Sequence, residues 1–174
     1  MPIHYTRLEY IESTGTQYIN TGVTQIWQTG VTLEFSFTPT ELGGYFGGNA
    51  YTQTEITSAY SVGVNTISKT VFNGTSTSMY RDGVYVRTQN WNSTYSGFPI
   101  ILCGLGYNRF QVVHFAKGKL FYAKIFDEND SLIRNFIPVR QNSDGALGMY
   151  DTVSGTFFTN AATSGPDFTA GPAI

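Results

Sequence analysis

Gly118 to Asn160 reads GKLFYAKIFDENDSLIRNFIPVRQNSDGALGMYDTVSGTFFTN, and its alternation decides the fold. Two successive hairpins are predicted. Lys119 to Phe126 forms the first strand, with Phe121, Ala123 and Ile125 on one face and Leu120, Tyr122 and Phe126 on the other. Apolar residues on both faces predict a strand covered on both sides, inside a layered structure. Asp127-Glu128-Asn129-Asp130 supplies the turn, because short Asx side chains bond their own backbone and tolerate left-handed angles. Leu132 to Ile137 returns and is expected to stop at Pro138, which cannot donate to a ladder. Leu147–Tyr150 and Thr156–Thr159 make the second hairpin, closed by Asp151 to Gly155.

The same pattern runs outward through the chain. Leu8 to Asn20 predicts two short strands around Ser13-Thr14-Gly15. Val31 to Phe37 alternates: Val31, Leu33, Phe35 and Phe37 inward, Thr32, Glu34 and Ser36 outward, a strand with one wet face that ends at Pro39. Tyr45 to Asn49 is a short strand with close backbone approach at its glycines. Ser58–Val64 and Ile67–Phe72 pair about Asn65-Thr66. Ser76–Tyr80 and Val84–Thr88 flank Arg81-Asp82-Gly83, a strong hairpin signal because both central residues accept positive φ. Gln89 to Phe98 is a polar, aromatic-bearing loop, and Pro99–Gly104 and Phe110–Phe115 are strands around the loop Leu105 to Arg109. Turn signals recur roughly every ten residues and no segment carries a 3.6-residue period, so the chain predicts an all-β, two-sheet antiparallel sandwich. With no linker, repeat or low-complexity tract, residues 1–174 are expected to form one domain.

Composition narrows the setting. A chain of 174 residues buries about 70% of its unfolded surface without staples, and its one cysteine, Cys103, lies in an apolar run that predicts a buried, inert thiol. A net charge of −2 argues against a polyanion-binding surface, so no nucleic-acid partner is expected. Charged residues are 13% of the chain, about half the usual ~25%, while aromatics reach 16%. Low charge with abundant Tyr, Thr, Ser, Asn and Gly suits an extracellular or virion β-protein. No apolar run approaches a membrane span, and His4, Arg7 and Glu9 stand where a signal peptide would need its apolar core. Synthesis in a host cytoplasm without an export signal, followed by assembly into a particle, is the expected route.

Leu8 to Gly22, LEYIESTGTQYINTG, resembles the opening strands of concanavalin A-like (laminin G-like) jelly-roll domains of phage structural proteins and gut-bacterial surface proteins. Gly118–Asp127, Leu132–Pro138, Gly148–Asp151, Gly155–Asn160 and Phe168–Pro172 are similar to the ends of such domains, and Tyr80-Arg-Asp-Gly-Val84 resembles their tyrosine-bearing hairpin. The resemblance spans nearly the whole chain. It implies two antiparallel sheets of about six or seven strands packed face to face, with the termini close together. It also implies a binder of glycan or protein, or an enzyme of the laminarinase kind; the matching segments are structural, so function transfers only by analogy.

The chemistry such an enzyme needs is missing from the pattern. A glucanase on this scaffold requires carboxylates at alternate positions of one strand about 5 Å apart, in the pattern Glu-x-Asp-x-(x)-Glu. Glu9 and Glu12 are three apart and point to opposite faces, and Asp127, Glu128 and Asp130 lie in a turn. No enzyme activity is expected. His4 and His114 lack metal-ligand spacing, and His114 between Val113 and Phe115 predicts a hydrogen-bonded sheet residue. The pairs Gly43-Gly44, Gly47-Gly48 and Gly104-Leu-Gly106 open no helix and predict no phosphate cradle. Relatives often hold calcium at a sandwich rim, and Asp127 to Asp130 offer oxygens; a solvated hairpin explains them as well, and neither metal nor cofactor is assigned.

Aromatic surface remains. Sugar rings stack their C–H faces on Trp and Tyr while Asn, Asp and Arg hold hydroxyls. Trp91, Asn92 and Tyr95 in the Gln89–Gly97 loop, with Tyr107, Asn108 and Arg109 in the Gly104–Arg109 loop, are the candidate ligand-binding residues, if the two loops share a rim. Their structural alternative is that Trp91 caps the sandwich edge and Tyr107 packs on a neighbouring strand. Trp27 is a weaker candidate for either a ligand or a subunit contact. The expected function is a non-enzymatic bacteriophage virion component, on a tail tip, fibre or capsid surface, binding host-surface glycan and displayed in several copies, with a homo-oligomer as one way to achieve that display. The alternatives are a purely structural capsid decoration or head-fibre protein contacting other virion proteins, and a bacterial cell-surface adhesin or carbohydrate-binding module.

Overall fold

A computed structural model describes residues 3–25, 29–48, 54–55, 66–73, 75–90, 97–107 and 111–174. The chain opens with β1 (Tyr5–Arg7), β2 (Ile11–Thr14) and β3 (Ile19–Gln25), then runs β4 (Val31–Pro39) and β5 (Tyr45–Gly48). Next come the short β6 (Thr54–Glu55), then β7 (Thr66–Phe72), β8 (Ser76–Arg81) and β9 (Val84–Asn90). β10 (Phe98–Leu102), β11 (Leu105–Gly106) and β12 (Val112–Val113) follow. β13 (Lys117–Phe126), β14 (Leu132–Gln141), β15 (Leu147–Asp151), β16 (Thr156–Thr159) and β17 (Thr169–Ala170) complete it. Among the described residues there is no helix, and so none long and apolar enough to cross a membrane.

The strands form two sheets, as the alternation predicts. The larger follows the order β16-β15-β14-β13-β4-β7-β8-β9, with β1 joined to β14, β2 to β13 and β17 to β2. The smaller follows β12-β11-β5-β10-β3, with β6 beside β5. Pairing is antiparallel except for β11 against β5, which is parallel. The resulting all-β sandwich is compatible with a jelly roll. Leu105–Gly106 is therefore a strand where a loop was expected, and Gly106 is needed there because a Cβ would run into the carbonyl oxygen of Pro99. The expected strand at Ser58–Val64 lies outside the described residues, and β7 instead pairs with β4 and β8.

Between the sheets lies one apolar layer. β4 contributes Leu33, Phe35 and Phe37, and β13 contributes Leu120, Ala123 and Ile125, opposite Ile19, Phe46, Ile100 and Leu102 of the smaller sheet. The first strand departs from strict alternation. A bulge at Phe121 puts Leu120 opposite Phe37 and Tyr122 opposite Ser36, so Leu120 joins Ala123 and Ile125 on the core face. The outer face keeps Tyr122, Lys124 and Phe126, all half-buried, so β13 is packed on one side and only partly covered on the other. The expected wet face of β4 is also mostly dry. Thr32 and Ser36 are buried, because Phe126 and Val71 flank the first and Tyr122 and Ile67 the second. β14 does not stop at Pro138. Pro138 sits where β14 exchanges β13 for β1 as its neighbour; its carbonyl accepts from the Leu8 N–H (3.0 Å), and the strand runs on to Gln141.

Turn chemistry matches the sequence closely. Asp127 Oδ1 accepts from the backbone of Asn129 (2.9 Å) and Ser131 (2.8 Å), and Asp130 is left-handed at φ 58°. Asp82 and Gly83 take φ 48° and 79°, closing the β8–β9 hairpin tightly. The termini meet, with Glu9 N donating to Pro172 O at 2.8 Å and Ile174 N to Arg7 O at 3.1 Å.

Asp151 closes the second hairpin from a fully buried position. Its Oδ1 accepts from Asn135 N (2.8 Å) and Val153 N (3.1 Å), its Oδ2 from Ser154 Oγ (2.6 Å), and Arg134 Nε stands 3.5 Å away. Burial alone would push the pKa of this carboxyl up, but the hydrogen bonds from Asn135, Ser154 and Val153 outweigh it and hold the pKa below its ordinary value. A carboxylate depressed in the folded state stabilises fully above its unfolded value, near pH 4, and ceases to as pH falls through the lower folded value. Asp151→Asn should therefore cost about 2 kcal/mol in urea denaturation at pH 7 and less in acid well below the ordinary carboxylate range. An equal cost at both pH values would exclude this role.

Candidate functional site

Of the residues singled out for ligand binding, Trp91, Asn92, Tyr95, Asn108 and Arg109 lie outside the described residues, as does Trp27. Tyr107 is described. It follows β11, its side chain is half exposed, and it borders a shallow depression of about 600 Å³ with Gln111, Val112, Val113 and His114. Its N–H donates to Gln111 O (3.0 Å), closing the loop it belongs to. His114 is not a strand residue. It follows β12 in a left-handed conformation (φ 52°), its carbonyl accepts from Tyr45 N (2.9 Å), and its ring lies 5.2 Å from that of Tyr45. β9 ends at Asn90 in the larger sheet, and β10 begins at Phe98 in the smaller.

A second site lies on the outer face of the larger sheet, and no single segment announces it. Register builds it. Ladder pairing from β13 through β4 and β7 to β8 aligns Lys124, Glu34, Lys69 and Tyr80 in one row, which ends at Tyr85 of β9. A parallel row aligns Tyr122, Ser36 and Ile67, and a third Phe126, Thr32, Val71 and Ser78. The small side chains Ser36 and Thr32 sink between their neighbours and leave a trough of about 340 Å³, lined by Glu34, Ile67, Lys69, Val71, Tyr80 and Gly83.

Polar groups from β13 converge on Glu34 at the trough's edge. Glu34 Oε1 accepts from the Tyr122 hydroxyl (3.3 Å) and faces Lys124 Nζ at 3.5 Å, and Lys124 also stands 5.1 Å over the Tyr122 ring. Burial, the Glu34 carboxylate with its hydrogen bond, and Asp82 together push the Tyr122 hydroxyl up to about 12, so it remains a donor at neutral pH. Among the described residues the Lys69 ammonium has no hydrogen-bond or ion-pair partner. Tyr80 meets Tyr85 edge-on at 5.9 Å, and Tyr85 in turn donates to Thr88 Oγ1 (3.1 Å). The β8–β9 hairpin that carries these rings is tied down by Arg81 Nη2, which donates to Glu55 O (3.2 Å).

Such a surface can hold a flat, amphipathic, hydroxylated ligand: an apolar floor and a ring beside donors and an acceptor. Glu34 is the one carboxylate among the lining residues, whereas glycoside hydrolysis uses two. Among the described residues no group of three or more His, Cys, Asp or Glu is placed to hold a metal ion. Cys103 is fully buried and its thiol is pushed far up by that burial. No protein-family model matches the chain, and comparison with curated proteins and with solved structures gives no match.

Proposed function

We propose that the protein is a non-enzymatic recognition module of a bacteriophage virion, carried on a tail tip, fibre or capsid surface, that binds host-surface glycan in the outer-face trough. One observation carries the reading. The Tyr80 ring and the Ile67 and Val71 side chains line the trough together with Glu34 and Lys69, the mixture of apolar plane and hydrogen-bonding groups that a pyranose requires. The concanavalin A-like resemblance of both chain ends and the low charge support the setting. A shallow single site binds weakly, and display in several copies raises avidity by roughly 10²–10⁴.

The test is a glycan array read with multimerised protein. Specific binding is expected, with Tyr80→Ala weakening it about tenfold and Tyr80→Phe retaining most of it, both variants keeping the wild-type melting profile. A blank array with folded protein removes the glycan reading. The structural alternative, a capsid decoration or head-fibre subunit, then gains ground from β9, where Val84, Tyr85 and Val86 are 68%, 56% and 45% exposed along an edge strand.

A further inference from the structure

We infer that the saccharide seated in the trough carries a carboxylate, and that Lys69 takes it. The inference rests on the sugar-binding reading above and names the class of sugar. Two lysines and one glutamate make up the central row, and the charges are not shared evenly. Glu34 is committed to Lys124 and to the Tyr122 hydroxyl, leaving Lys69 without a counter-charge among the described residues. Asp82 precedes the lining Gly83, and its Oδ1 is engaged by the Ile67 N–H at 2.8 Å. Lys69 projects beside Tyr80, between the apolar side chains of Ile67 and Val71. A charged hydrogen bond is strengthened by such partly dry surroundings, and a neutral hydroxyl would leave the ammonium only half satisfied. A uronic or sialic acid places a carboxylate on the edge of a ring whose face can lie on Tyr80. The negative Glu34 beside it sets an upper bound on the charge accepted, favouring one carboxylate over a polyanion.

Paired probes that differ in charge test this: sialyllactose against lactose, and galacturonic acid against its methyl ester, measured by calorimetry or surface binding. The acidic member of each pair is expected to bind about tenfold tighter. Lys69→Met should abolish that preference, weakening the acidic member about tenfold more than the neutral one, while Glu34→Gln should increase affinity for the acidic member. Raising salt on the wild-type protein should shrink the preference, a readout that needs no variant. Equal affinity for both members, or an equal loss for both in Lys69→Met, overturns the inference and leaves the sugar reading standing. No binding of any saccharide overturns the sugar reading and this inference with it.

Discussion

Gln17→Leu is expected to destabilise the fold by about 4 kcal/mol, because this buried amide satisfies two chain segments at once. Its Oε1 accepts from Thr14 N (2.9 Å), and Ser13 Oγ lies 3.2 Å from the same oxygen. Its Nε2 donates to the carbonyls of Pro166 (3.1 Å) and Asp167 (3.2 Å), nearly the whole chain away in sequence. Leucine has similar volume and fits sterically, so the loss would come from backbone groups left unpaired beside a side chain that is itself fully buried, at about 1–3 kcal/mol each. The strap from Asn160 to Phe168 would lose its middle anchor while keeping its ends, where Asn160 Oδ1 accepts from Tyr18 N (3.2 Å) and Phe168 is buried. Two measurements check this: the urea midpoint, and faster proteolysis between Thr163 and Asp167 under native conditions. Gln17→Glu should fare no better, since it sets an oxygen against two carbonyl oxygens. A midpoint shift worth under 1 kcal/mol, with unchanged proteolysis, would sink the account.

Gln17 also shows where reading the chain from its residues stops. Alternation reveals which side chains of Val31 to Phe37 face the core, and Asx and Gly chemistry reveals the turns at Asp82-Gly83 and Asp127–Asp130, because both signals are local. A polar residue that bridges Thr14 to Pro166 has no local signal. The bulge at Phe121 is similarly silent, yet it moves Leu120 to the other face of its strand. Pro138 misleads because its missing donor matters only where a neighbour needs it, and β14 changes neighbours at that residue. The trough is harder still. Glu34, Lys69, Tyr80 and Lys124 are scattered over four strands, and each alone reads as an ordinary outward residue. Only the register of three ladders makes them one row. The sign visible beforehand is that outward positions of successive strands carry opposite charges, and using it requires knowing that β13 inserts beside β4.

Phe46→Ala is expected to cost about 3–5 kcal/mol, a fifth or more of the stability of a domain in the usual range of about 5–15 kcal/mol. Phe46 comes from β5 in the smaller sheet and reaches across the gap to β4 in the larger. Its ring stacks on Phe35 with centroids 4.1 Å apart and planes 9° from parallel, and it meets Phe37 edge-on at 4.9 Å and 67°. All three rings are fully buried, so truncation opens a cavity between layers whose strands are held by ladders on either side and can close only partly. Phe46→Leu should cost about 1–2 kcal/mol, and a double-mutant cycle with Phe35→Leu should give a coupling of about 0.5–1.5 kcal/mol for the stacked pair. Urea denaturation with an unchanged m-value is the measurement, since a changed slope would signal a loosened native state. Because Glu34 projects from β4 on the face opposite Phe35 and Phe37, the trough should keep its register below the new midpoint. Glycan binding by Phe46→Ala would then match wild type at low temperature and vanish with unfolding, whereas Tyr80→Ala would bind about tenfold more weakly while keeping the wild-type melting profile. If Phe46→Ala lost binding while still fully folded, recognition would depend on the interior of the sandwich and the outer-face assignment would be wrong.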